Sequence, residues 1–170
     1  MSTNPLQWED PLQSFRFLVL LDPPFHYLPL KQALFVSVVW GGGFQEASGI
    51  GADLEVMPYS EGGMNDFVHQ LPVRHSYPRI TLKRGLIRDP GLWWWYVGGL
   101  AGSLGARRDG AIILMTPSGK PAFGFTFLAG LAAKWTGPAM NSQSDAVAVE
   151  SLEIAHEGLV PLPLTPPGVV

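Results

Sequence analysis

Between Phe15 and His156 the chain breaks into short runs of β-branched, aromatic or alternating residues, each closed by glycine or proline, and one window carries a helix-start signal. That punctuation dictates a mainly β fold. Phe15–Leu21 sets Phe15, Phe17, Val19 and Leu21 on one face before Asp22-Pro23-Pro24 stops it, and Leu34–Trp40 reads as a second strand ended by three glycines. Ile50 to Leu71 reads as one long hairpin, with Leu54 and Val56 alternating with Asp53 and Glu55 and turn chemistry at Glu61-Gly62-Gly63. A hairpin of this length rarely stands alone in water, so it is expected to lie against a neighbour.

Arg79–Lys83 alternates cleanly, Ile80 and Leu82 pointing one way and Arg79, Thr81 and Lys83 the other. Asp89-Pro90 then starts a helix over roughly 90–102, with Asp89 as cap and Pro90 at the first helical position. Trp93, Val97 and Leu100 form one stripe and Trp94, Trp95 and Tyr96 fill the rest, so both sides of this helix should be covered. Ala111–Thr116 is a continuous apolar run expected to be buried on both faces. Ala122–Leu128 pairs with it as a hairpin and directs Phe123, Phe125 and Phe127 toward the core. In the last strand, Ala146–His156, the alternation slips between Val149 and Leu152, which predicts a bulge or a strand covered on both sides. There is no internal repeat and no βαβ alternation, so the expected architecture is an antiparallel β-sandwich or barrel of about six or seven strands with one short α-helix.

Charge narrows the function. Charged residues are 15% of the chain and hydrophobic ones 46%, which leaves too little charge to coat a monomer and points to burial against other subunits. The charges are also sorted. From Gln32 to Val73 there are acids (Glu46, Asp53, Glu55, Glu61, Asp66) and no Lys or Arg, whereas from Arg74 to Arg88 there are Arg74, Arg79, Lys83, Arg84 and Arg88 and no acid. A chain built this way can attract copies of itself. The net charge of −3 and the acidic block beside the basic one argue against a nucleic-acid binder.

Other chemistry finds little support. With no cysteine there is no disulfide, thiol nucleophile or thiolate metal site. Glu153 and His156 have a metal-ligand spacing that works only on a helix; on a strand they point to opposite faces. No GxSxG elbow is present, Gly49-Ile50-Gly51 lacks a dinucleotide fingerprint, and Ser118-Gly119-Lys120 lacks a phosphate-cradling loop. The expectation is no enzyme activity, no catalytic or metal residue and no cofactor. The N-terminus has acids where a Sec-type signal has positive charge, and the apolar stretch around Trp93-Trp94-Trp95 is short and glycine-rich for a spanning helix. No membrane insertion is expected. The tryptophan run leaves one reading of another class, a secreted carbohydrate-binding or effector module.

An ordered series of short motifs is more specific than any of these. It begins at Gly43-Phe44-x-Glu46-x-Ser48-Gly49 and Glu55-Val56-x-x-Tyr59-x-Glu61-Gly62-Gly63-x-Asn65, and continues through Leu71-Pro72, Tyr77-Pro78, Leu82-Lys83-Arg84-Gly85 and Leu92-Trp93. Lys134-Trp135-x-Gly137-Pro138, Asn141, Val147-Ala148-Val149-Glu150 and Leu152-Glu153-x-Ala155-His156-Glu157-Gly158-Leu159 complete it. In this order the motifs resemble the tail-tube (inner tube) protein family of contractile phages and contractile injection systems, from Phe44 to Leu159.

The resemblance implies a single tail-tube domain over 1–170, with a core of about 15–159, an N-terminal arm at 1–14, an inserted loop at 23–33 and a proline-rich tail at 160–170. It implies a structural subunit: six copies form a ring, and rings stack into a tube whose hairpins build a continuous barrel around a hollow lumen. The implied partners are the chain itself, a contractile sheath protein, baseplate or tube-initiator and terminator proteins, and a luminal cargo or tape-measure protein. Assembly would take place in the bacterial cytoplasm, in a phage tail or tail-like particle that can be released. Glu55, Glu61 and Asn65 would lie at lumen and ring contacts with Arg79, Lys83, Arg84, Glu150 and Glu153 at subunit boundaries, Glu55 or Glu61 meeting Arg79, Lys83 or Arg84 of another subunit. The chain departs from the family in its inserted loop, its charge-free helix and its tail, which keeps a baseplate-proximal tube initiator open beside the shaft subunit.

Overall fold

The computed structural model describes residues 16–21, 43–63, 66–101, 106–143 and 145–163. Among them the chain runs β1 (Phe17–Leu21), β2 (Phe44–Ser48), β3 (Asp53–Tyr59), β4 (His69–Ser76), β5 (Ile80–Gly85), α1 (Gly91–Leu100), β6 (Arg108–Met115), β7 (Pro121–Thr136), β8 (Val149–Ala155) and β9 (Gly158–Pro163). The fold is mainly β and antiparallel with one short helix, as the punctuation predicts. A seven-stranded sheet has the order β1-β6-β7-β8-β5-β2 with β9 added to β7, and β3 and β4 form a separate two-stranded sheet. The expected second strand Leu34–Trp40 and the loop 23–33 lie outside the described residues.

β7 makes the large sheet fold on itself. Its first half pairs with β6 and β9 through Phe123–Leu128, and its second half pairs with β8 from Leu131 to Thr136. Between them Ala129 has φ 51°, a left-handed conformation that costs a non-glycine residue about 1–2 kcal/mol. The Asp109 carboxylate holds it there by accepting the Ala129 N–H at 2.7 Å. The two halves then share one core: Val19, Ile112 and Phe127 meet Ile80, Leu82, Leu152 and Ile154. Phe127 sits at the corner, where a Cβ on Gly110 or Gly130 would come within 2.3 or 2.6 Å of its ring.

Four expectations change in detail. The hairpin strand expected over Ala122–Leu128 continues to Thr136, because the kink at Ala129 redirects the strand without ending it. Of its three phenylalanines only Phe127 is in the core; Phe123 and Phe125 stay partly exposed and pack edge to face at 5.1 Å. β2 and β9 are additional strands, β9 tolerating Pro161 because an edge strand leaves one side of its backbone unbonded. Finally, β8 has neither a bulge nor two covered faces: Glu150, Leu152 and Ile154 form one unbroken buried face, and the register shift lies on β7 between Ala132 and Lys134.

Helix α1 lies on β7 with Leu92 and Trp95 buried, and the Trp95 indole N–H donates to the Ala106 carbonyl at 2.6 Å. Pro90 takes the N-cap position expected of Asp89, just before the first helical residue, and the Asp89 carboxylate accepts the Gly91 N–H at 3.1 Å from one position further out. The outer side is uncovered in a single subunit: Trp94 is 63% and Leu100 68% exposed. No helix among the described residues is long and apolar enough to cross a membrane.

Candidate functional site

The β3–β4 hairpin is the least finished part of the subunit. Its strands pair from Asp53↔Ser76 to Tyr59↔His69, with a register shift after Glu55 that leaves Val73 as the extra residue. Every residue of β3 is exposed, and Leu54, Val56, Met57, Tyr59, Phe67, Val68, Leu71 and Val73 all stand open to solvent. An isolated two-stranded ribbon with apolar residues on both faces gains too little burial to hold itself together. The expected turn is present at Glu61-Gly62-Gly63, where Gly63 supplies φ +94°, and His69 stacks edge-on against Phe67 at 4.9 Å with Glu61 3.5 Å away. Asn65 lies outside the described residues.

The sorted charges meet inside one subunit. Arg74 Nε donates to Glu55 at 2.6 Å directly across the hairpin, and Lys83 Nζ to Glu46 at 2.8 Å across β5–β2. Glu153 receives both Arg79 at 3.1 Å and Lys134 at 2.9 Å. Lys83 hydrogen bonding holds the Glu46 carboxyl below its ordinary value, and Lys134, with Arg79 second, does the same for Glu153. The acid-then-base order along the chain therefore builds pairs between strands that fold back on each other, Glu55 with Arg74 and Glu46 with Lys83, and Lys134 joins from outside the two blocks. Their signal was available: a residue facing outward on an antiparallel strand finds its counterion on the facing strand.

Arg84 and Glu150, expected at a subunit boundary, are buried within the subunit. Their side chains are 1% and 4% exposed, inside the core. They are cross-strand neighbours on β5 and β8, and Arg84 Nε donates to Glu150 Oε1 at 2.7 Å. Arg84 Nη2 donates to the Asp89 carbonyl at 3.1 Å, and the Trp135 indole N–H to Glu150 Oε2 at 3.0 Å. Trp135 in turn meets Trp93 edge to face at 4.8 Å, while the Arg84 guanidinium lies 5.9 Å over the Phe44 ring. The cavity beside this cluster, lined by Arg84, Asp89, Trp95 and Arg108, measures about 10 Å³, space for no more than one water.

Among the described residues no three of His, Asp and Glu come close enough to hold a metal ion. Glu153 is committed to its two cations, and His156 Nδ1 lies 2.9 Å from the Gly158 carbonyl. What the described surface offers is an unsatisfied ribbon, an uncovered aromatic helix face and charge pairs across neighbouring strands, which is the equipment of a subunit made to be packed.

Comparison with known proteins agrees. No curated protein matches the chain significantly. Solved structures do. A chain of the cryo-EM structure of the anti-feeding prophage baseplate is 23% identical, with a TM-score of 0.73 over 93% of this chain and 99% of that one. A chain from the extended sheath–tube complex of an extracellular contractile injection system, PVC, is 17% identical with a TM-score of 0.71 over 96% and 100%. Hcp1 from Flavobacterium johnsoniae is more distant, at 12% identity and a TM-score of 0.52 over 85% and 93%. The family model of the T4-like virus tail tube protein gp19 matches residues 13–160. With that match over most of its length, and a surface built to be packed, the chain belongs to the T4-like tail tube protein family and is a structural protein of a contractile tail or tail-like particle, not an enzyme.

Proposed function

We propose that this chain is the repeating inner-tube subunit of a contractile injection device, six copies closing a ring and rings stacking into a hollow tube. The observation that carries this reading is the β3–β4 hairpin, whose apolar residues are exposed on both faces of a ribbon that no other strand among the described residues joins. Its edges would be completed by neighbouring copies, which removes open strand edges from the assembly. The six-fold symmetrised baseplate and the sheath–tube complex that hold its structural relatives support a ring of six inside a sheath. Glu55, Glu61 and Asn65 would then lie at ring and lumen contacts. Arg79, Lys83 and Glu153, on the outward side of β5 and β8, would trade counterions with the next subunit. Sheath, baseplate and terminator proteins are the proposed outer and end partners, a cargo or tape-measure protein the luminal one, and the bacterial cytoplasm the place of assembly.

Electron microscopy of the purified protein tests this. Wild type should form hollow tubes, and Val56→Asp with Leu71→Asp should leave a folded subunit with an unchanged melting temperature and no tubes. Tubes of undiminished length from the double variant would end this reading. The charge-free, partly uncovered helix favours a second reading, a baseplate-proximal tube initiator. Discrete rings that never stack would select it.

A further inference from the structure

We propose that Arg84, Glu150 and Trp135 are positioning residues, which fix from inside the sheet the orientation in which α1 presents its tryptophans to a neighbouring copy of this chain. The proposal rests on the tube reading for what the helix face is used for, but not for how it is held. A buried ion pair is weak evidence of stabilisation, because apolar groups of similar volume in its place are often as stable or more so. Something other than stability accounts for two charges buried this completely. Their hydrogen bonds say what: the two Glu150 oxygens and Arg84 Nη2 are committed to three different parts of the chain.

Glu150 on β8 accepts from Arg84 of β5 with one oxygen, at 2.7 Å, and from Trp135 of β7 with the other, at 3.0 Å. Arg84 reaches out of the sheet with Nη2 to the carbonyl of Asp89, 3.1 Å away, and Asp89 is the residue whose carboxylate accepts the Gly91 N–H at the start of α1. Trp135, held by its N–H, puts its ring against Trp93 at 4.8 Å and 69°, and Gly137 leaves room for it, since a Cβ there would come within 2.7 Å of the indole. The helix is thus gripped at two points of its first turn, by a hydrogen bond before Gly91 and by an aromatic edge at Trp93. Further along, the Trp95 indole N–H donates to the Ala106 carbonyl and the Arg108 guanidinium lies 5.5 Å over the Trp95 ring. These contacts pin the middle of the helix. Contact between apolar surfaces is non-directional, so a charge-free helix such as Gly91–Leu100 can settle at several rotations of similar energy unless polar groups choose one. The rotation chosen leaves Trp93 39% and Trp94 63% exposed on the outward side.

The test separates holding from stabilising. In Arg84→Met/Glu150→Leu the pair is replaced by apolar groups, and in Trp135→Phe a smaller phenyl ring replaces the indole and the N–H is lost. Both should keep the wild-type melting temperature within a few degrees. Two indoles in edge contact give a tryptophan couplet in the circular dichroism spectrum, identified here by its loss in Trp93→Phe. The expected result is that Arg84→Met/Glu150→Leu loses this couplet and, like Trp135→Phe, forms tubes with a yield reduced roughly tenfold or more. A couplet that survives the apolar swap overturns the proposal, as does full tube yield from Arg84→Met/Glu150→Leu once it has lost the couplet. If the double variant does not fold, full tube yield from Trp135→Phe overturns the proposal and reduced yield supports it. Should wild type assemble into neither rings nor tubes, the tube reading fails, and the couplet still decides whether these residues orient α1.

Discussion

The subunit contains two arginine–glutamate pairs of nearly identical geometry and opposite circumstance. Glu55 and Arg74 face each other across β3–β4 at 2.6 Å with side chains 53% and 72% exposed; Arg84 and Glu150 face each other across β5–β8 at 2.7 Å with side chains 1% and 4% exposed. The hairpin pair keeps most of its water, so forming it recovers little. The body pair has given up its water, and its attraction does no more than offset that loss, which makes it nearly neutral as a pair and severe to break. The same bond length therefore reports two different things: in the body it marks a commitment to one register, in the hairpin it marks a surface still waiting for its environment.

The largest effect expected from this contrast is in the body. Glu150→Ala leaves the Arg84 guanidinium buried without its carboxylate and the Trp135 N–H without its acceptor, and should cost about 3–5 kcal/mol in urea unfolding. A loss below about 1 kcal/mol would mean that the core admits water around Arg84 and that the contrast is false.

In the hairpin the corresponding change should be nearly silent. Arg74→Ala or Glu55→Ala should alter subunit stability by no more than about 1 kcal/mol, and by less as salt is raised from 0.05 to 0.5 M, on the order expected for exposed pairs. A loss comparable to that of Glu150→Ala, measured under conditions that keep the protein monomeric, would show that the ribbon is supported within the subunit after all.

The difference between the two regions was only half legible in the sequence. The hairpin was readable because its signals are local: Leu54 and Val56 alternate with Asp53 and Glu55, and Glu61-Gly62-Gly63 supplies the turn. The helix start at Asp89-Pro90 was readable for the same reason. Arg84 and Glu150 carry a local signal as well. In Ile80-Thr81-Leu82-Lys83-Arg84 the alternation places Arg84 with Ile80 and Leu82, and in Glu150-Ser151-Leu152-Glu153-Ile154 it places Glu150 with Leu152 and Ile154. A lone charge on an apolar face looks like an end of the pattern until its counterion is known, and that counterion lies 66 residues away. The corner at Ala129 had no signal at all, since alanine gives no hint of a left-handed residue held by a carboxylate 20 positions earlier. The tube role came from the order of motifs along the chain, which no period or propensity encodes.

The smallest effect is a pH dependence, and it belongs to the outward side of the body, where Glu46 and Glu153 are intermediate between the two pairs. Lys83 holds Glu46, and Lys134 with Arg79 holds Glu153, below the ordinary carboxylate value. A carboxylate whose folded value is depressed contributes stability that is complete above its unfolded value and lost as pH falls through the folded one. The wild-type subunit should therefore keep this contribution from neutral pH down to about pH 4.3, and lose it below that, as the carboxylates take up protons. Glu46→Gln/Glu153→Gln removes both titrations without removing the core. The stability difference between wild type and this variant should be constant above about pH 5 and close toward zero in more acid solution. Both carboxylates keep contact with water, so the difference should also shrink in high salt, unlike anything done to Glu150. A gap that widens on acidification would have the wrong sign for lysine- and arginine-held carboxylates, and would mean that Glu46 and Glu153 are paired differently in solution.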